Sequence, residues 1–156
     1  MFVIKMNNRL KKDLPPVNSK NPIFNAKASI KAKWSYQTTD IVTGYDEPIS
    51  KTQEEMLQTM TELSELLEKN QIKLSLAVYP WPQQLQYDNR NSIHVKMWKN
   101  FCKGKCYKFI NFFPYFFNAQ EKNSFLEVYK KYYFWNDVHF NNEGNRIIAQ
   151  ELLKEF

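Results

Sequence analysis

Apolar and polar positions follow two rhythms along this chain. Met56, Leu57, Met60, Leu63 and Leu67 recur every three or four residues, which is one face of a helix. Ser50 precedes that run and Gln53 stands three residues on, as in a capping box, so a helix is predicted from Lys51 to Lys69 with a stop at Asn70. The rhythm then shortens to two. Ile72, Leu74, Leu76 and Val78 alternate with Lys73, Ser75, Ala77 and Tyr79, which predicts a strand with one apolar face. Pro80 and Pro82 end it, leaving Tyr79 to Gln84 as a rigid loop at its carboxyl end. Ile93, Met97, Trp98 and Phe101 share a face and predict a second helix from Ser92 to Phe101. Cys106 to Asn111 reads as a second strand, broken by Pro114 in an aromatic-rich turn. Phe125, Leu126 and Tyr129 predict a third helix over Ser124 to Tyr132. Asn136 to Asn142 is a polar loop, and Ile147, Ile148 and Leu152 mark a closing helix from Gly144 to Lys154.

Strands separated by helices usually pair in parallel through right-handed crossovers, so the expected fold class is α/β. Two strands make a poor sheet centre. Hidden strands before residue 50, or a larger α/β domain of which this is the later part, both fit the pattern.

Composition narrows the classes. A chain of 156 residues with 43% apolar and 16% aromatic residues has material for one cored domain and is not a wholly disordered polymer. Only three glycines exclude a collagen repeat and a glycine-rich phosphate loop. No apolar run approaches the roughly 20 residues that span a bilayer. In MFVIKMNNRLKK the apolar stretch is too short for a signal-peptide core and the charges follow it, so neither an export signal nor a transmembrane segment is expected. The localisation stays open.

The net charge of +6 invites a nucleic-acid reading, and its distribution weakens it. Residues 1–33 carry eight Lys or Arg against the single acid Asp13. That leaves 14 basic and 15 acidic residues in 34–156, so the excess belongs to the leader. Residues 1–33, with Pro15, Pro16 and Pro22, read as a basic, weakly ordered tail that can touch phosphates or anionic lipid without specificity. Residues 34–156 read as the folded body. It opens on the turn-rich TTDIVTGYDEPIS, punctuated by Gly44 and Pro48.

Two cysteines and two histidines carry the candidate chemistry. Cys102 and Cys106 bracket Gly104 in FCKGKC, where a small disulfide loop is sterically permitted and would imply an oxidising compartment. Two free thiols, or half of a metal site, are the alternatives, and no metal or other cofactor is expected. His94, between Ile93 and Val95, reads as a partly buried structural histidine. His139 sits in WNDVHFNNEGN, two residues from Asp137 and just before the last helix. A hydroxyl nucleophile near pH 7 needs an imidazole to take its proton, and the imidazole needs an acceptor on its other nitrogen. Asp137 can be that acceptor. The competing reading is an Asx turn made by Asp137 with Asn142 as a helix cap.

DVHFNNEGNRIIAQELL resembles the closing block of SGNH-fold (GDSL-type) hydrolases, closest to the branch that includes alginate O-acetylation proteins, with Asp137, His139, Phe140, Asn141 and Gly144 in the matching places. LSLAVYPWPQQL, the FC…C pair and FINFFPYFF are similar to segments of the same superfamily, and the resemblance spans about residues 34–156. It implies a three-layer α/β/α sandwich with a small, mostly parallel sheet, and ester hydrolysis or O-acyl transfer, often on carbohydrate. It further implies His139 as base, Asp137 as its orienter, and relatives that are often exported or attached to the cell envelope. Trp81, Gln84 and Asn141 are then candidate substrate-lining residues. The G-D-S and G-x-N-D blocks that supply nucleophile and oxyanion donors do not occur here, and none of the eight serines stands in such a context. The expectation is therefore the C-terminal part of such a domain, partnered by a missing N-terminal segment and inactive alone. A noncatalytic remnant is the alternative, with Phe112 to Phe117 as an exposed interaction surface. Binding of anionic surfaces through the tail is the other.

Overall fold

The computed structural model describes residues 48–156. The expectations for the basic tail and for the turn-rich piece before Pro48 lie outside the described residues. Within them the chain is mixed α/β with mostly helical content: six helices and one two-stranded parallel sheet. No described helix is long and apolar enough to cross a membrane.

Helix α1 spans Ile49–Lys69. Its end at Lys69 is where the pattern places it, but its start is not. Pro48 occupies the cap position, without a side-chain cap, and Ser50 lies inside the first turn. Proline is at home beside a helix start because the first N–H groups have no intrahelical partner. The inward stripe also turns slightly. Met56, Leu57 and Met60 pack on the core, while Leu63 is exposed and Ser64 is buried in its place. Ser64 tolerates burial because its hydroxyl donates to Thr61 O at 2.7 Å.

Strand β1 is Ser75–Val78 and strand β2 is Lys108–Asn111, paired in parallel from Ser75↔Lys108 to Val78↔Asn111. Both are shorter than predicted. Leu74 and Tyr107 still join at the amino end, where Tyr107 N–H donates to Leu74 O at 2.6 Å. The two faces of the pair feed different clusters. Leu76, Val78 and Phe109 pack with α1 and with α3, Ile93–Phe101. Ile110, on the opposite face, packs with Phe116, Val128, Tyr129, Tyr132 and Ile147.

Two helices replace what the sequence suggested were loops. Pro82–Tyr87 forms α2 and Phe113–Lys122 forms α4. In each a proline sits in the first turn, where it starts a helix rather than breaking one. Helix α4 overturns the interaction surface expected at Phe112 to Phe117. Phe112, Phe113 and Phe116 are all buried, because folding the segment as a helix turns one face into each cluster.

Helix α5, Phe125–Tyr132, starts with a full capping box: Glu127 N–H donates to Ser124 Oγ, and Ser124 N–H donates to the Glu127 carboxylate. Helix α6, Asn142–Leu153, is capped by Asn141 rather than Asn142, and Asn141 Oδ1 accepts from Gly144 N–H at 3.0 Å. A Cβ on Gly144 would stand 2.2 Å from Tyr132 O and 2.8 Å from the Phe140 ring. Glycine is required there so that α6 can begin directly against the end of α5.

Candidate active site

The loop between α5 and α6 turns back on itself. Tyr133 and Phe140 form an isolated antiparallel bridge, and Phe134 N–H donates to His139 O at 3.0 Å. Asn136, at φ 61°, adopts the left-handed conformation that asparagine accepts more readily than most residues. The loop is carried to the carboxyl end of β1 by two contacts. The Phe140 ring lies 5.0 Å from that of Tyr79, and the buried Tyr133 hydroxyl donates to Pro80 O at 2.7 Å. Ligand sites of open α/β sheets form at that end.

His139 is the most open of the groups placed there, with 78% of its side chain exposed. Its Nδ1 is 2.6 Å from Asp137 Oδ1. That hydrogen bond is the leading cause holding the Asp137 carboxyl below its ordinary range, with the Val138 and His139 backbone N–H groups helping. An ionised carboxylate only accepts, so the proton of this bond resides on Nδ1. The Nε2 edge of the ring has no hydrogen-bond partner among the described residues. Sequence spacing thus brought together two groups that the fold also brings together, in the orientation a base and its orienting acid require.

The other expected residues take different places. Gln84 is buried at 3% exposure, and its Oε1 accepts from Trp81 N–H at 2.8 Å, so it closes the first turn of α2. Trp81 is 38% exposed beside Pro80, on the same end of the sheet as the His139 loop. Asn141 donates from Nδ2 to Lys131 O and Tyr133 O while Oδ1 caps α6, so both ends of its amide hold the loop. Cys102 and Cys106 form a disulfide, and no described cysteine is free. It ties the end of α3 to the approach of β2, at the opposite end of the sheet from His139. His94 is largely buried, its ring 6.2 Å from Phe113 and 6.4 Å from Trp98, and burial pushes its pKa down to about 4.

Two residues near the dyad were not read from the sequence. Phe134, 54% exposed, is bonded through its backbone to His139 and shares the solvent side of the loop. Tyr129, fully buried on α5, reaches the loop with its hydroxyl. Its helical spacing marked it as core, and nothing in a period of 3.6 distinguishes a phenol that only packs from one that also bonds. No serine among the described residues is hydrogen-bonded to His139. Ser64 bonds within α1, while Ser92 and Ser124 cap α3 and α5. No protein-family model, curated protein or solved structure matches this sequence.

Proposed function

We propose that His139 and Asp137 are the base and orienting acid of an SGNH-type centre that hydrolyses esters or transfers acyl groups, on carbohydrate or other acyl esters. The described residues are then the C-terminal part of a three-layer α/β/α domain. The observation that carries this reading is the exposed imidazole whose Nδ1–H is held by a carboxylate at the carboxyl end of a parallel pair. With Nδ1 protonated, the Nε2 lone pair is presented to solvent and takes the proton of an attacking hydroxyl. Asp137 then stabilises the imidazolium that forms, and Nε2 returns the proton to the leaving alkoxide. The nucleophilic hydroxyl comes from outside the described residues. The oxyanion donors, like the nucleophile, are to be sought outside the described residues.

A fluorophosphonate probe tests the reading on this chain and on a form carrying any in-frame upstream sequence. The expected result is labelling of a serine that falls at least about 100-fold in His139→Ala, the order of effect of losing a general base. Absence of labelling in both forms counts against an acyl-transfer centre.

A further inference from the structure

Within the loop, the turn that carries Asp137 closes around one buried phenol. The one proton of the Tyr129 hydroxyl is shared between Phe134 O at 2.6 Å and Asp137 O at 3.0 Å, and the oxygen accepts from Asp137 N–H at 2.9 Å. The ring is locked beneath the turn, 5.5 Å from Trp135 and 5.7 Å from Tyr133. Burial pushes its pKa up to about 12, so it keeps the proton it donates. The neighbouring tyrosines of this region serve other ends. The Tyr132 hydroxyl meets that of Tyr115 at 3.4 Å, and the Tyr133 hydroxyl reaches Pro80 O.

We propose that Tyr129 is the positioning residue of the His139–Asp137 pair, its hydroxyl fixing the Asp137 main chain so that the carboxylate stays on His139 Nδ1. This rests on the dyad reading above. Asp137 Oδ1 serves three donors on the next two residues: Val138 N–H at 2.6 Å, His139 N–H at 3.2 Å and His139 Nδ1 at 2.6 Å. The direction of the carboxylate therefore follows from the orientation of the Asp137 backbone. That backbone donates its N–H to the phenol oxygen, and its C=O shares the phenol proton with Phe134 O. Asn136, just before it, sits in a conformation that L residues do not favour, so the turn needs a template from outside. A rigid ring on a capped helix supplies one.

The test is 15N NMR of the full chain with ring-labelled histidine in alkaline buffer, where neutral imidazole reveals its tautomer. The chain has two histidines, so the two ring signals are assignable by substitution. In the unaltered protein His139 is expected as the Nδ1–H tautomer. Tyr129→Phe, which keeps the ring and removes one oxygen, is expected to shift His139 to the Nε2–H tautomer, as Asp137→Asn does. Tyr132→Phe is expected to leave it unchanged. Retention of Nδ1–H in Tyr129→Phe together with its loss in Asp137→Asn overturns the positioning role and spares the dyad. Retention in Asp137→Asn overturns the dyad itself, and the positioning role with it. If Tyr129→Phe does not fold, the unaltered chain decides. A slowly exchanging Tyr129 hydroxyl proton with a cross-peak to the Asp137 amide supports the proposal, and its absence overturns it.

Discussion

His94 and His139 lie in two regions that treat the same side chain in opposite ways. Around His94 the fold supplies rings: Trp98 edge-on and Phe113 face-on, under the cluster shared with α1 and β1. Desolvation then disfavours the imidazolium, and the pKa falls to about 4. Around His139 the fold supplies a carboxylate and solvent, and the ring is held by one bond rather than by packing. The first environment makes a histidine behave as a core residue. The second makes it available for proton transfer at an exposed edge. Residue type alone separates neither case. The neighbours do: Ile93 and Val95 on a helix for one, Asp137 in a turn for the other.

The sharpest way to break this contrast is to attack the packing region first. Phe113→Ala removes a fully buried ring stacked on both His94 and Phe117, and is expected to cost about 3–5 kcal/mol in urea unfolding. A loss under about 1 kcal/mol would mean that the His94 side is not held by its core. A pH series comes next. His94 titrates near 6.5 when unfolded and at about 4 when folded, so between those values the unfolded chain holds the extra proton. Its contribution to stability is full above pH 6.5 and is lost as the pH falls toward 4, by about 3 kcal/mol in all. Urea midpoints at pH 7 and pH 4.5 should show that loss, and His94→Gln should remove most of it.

On the dyad side the stability effects are smaller. Gly144→Ala forces a Cβ against Tyr132 O and is expected to cost about 1–3 kcal/mol, measured the same way. The smallest effect belongs to the pair itself. Asp137→Asn and His139→Ala are expected to change stability by less than about 1 kcal/mol, because the pair is largely solvated. Thermal unfolding beside probe labelling checks this. A large loss of stability would turn the dyad into a structural clasp and erase the contrast.

Much of the frame was legible because it is written in local chemistry. Ser92 and Ser124 announce helix starts, alternation from Leu74 to Val78 announces β1, and Asp137 and His139 are close enough in sequence for their pairing to be read. Pro82 and Pro114 read from the sequence only as strand breakers, although proline ends one element and begins the next by the same missing N–H. At Pro114 the beginning prevailed because α4 lets Phe113 and Phe116 be buried together. Ser50 has the chemistry of a cap but lies inside the first turn, because α1 begins one residue earlier with Ile49 buried. The disulfide was one of three open states of FCKGKC, and the sharp turn at Gly104, with φ 75°, selects among them only once the chain is folded. Tyr129 lay beyond sequence reading altogether, since its bonds join positions eight apart through a turn that its own spacing does not reveal.

The hydrogen bond from Tyr133 to Pro80 joins residues 53 apart, whereas that between Tyr129 and Asp137 joins residues eight apart. By loop-closure entropy the long contact is harder to close by about 1.7 kcal/mol, yet it depends only on the logarithm of the intervening length. Extra residues inserted at the exposed stretch Asn89 to Asn91 therefore barely disturb how the histidine loop is moored to the sheet. One residue inserted between Phe134 and Asp137 dislodges it, because there the reach of a single phenol sets the length of chain that fits.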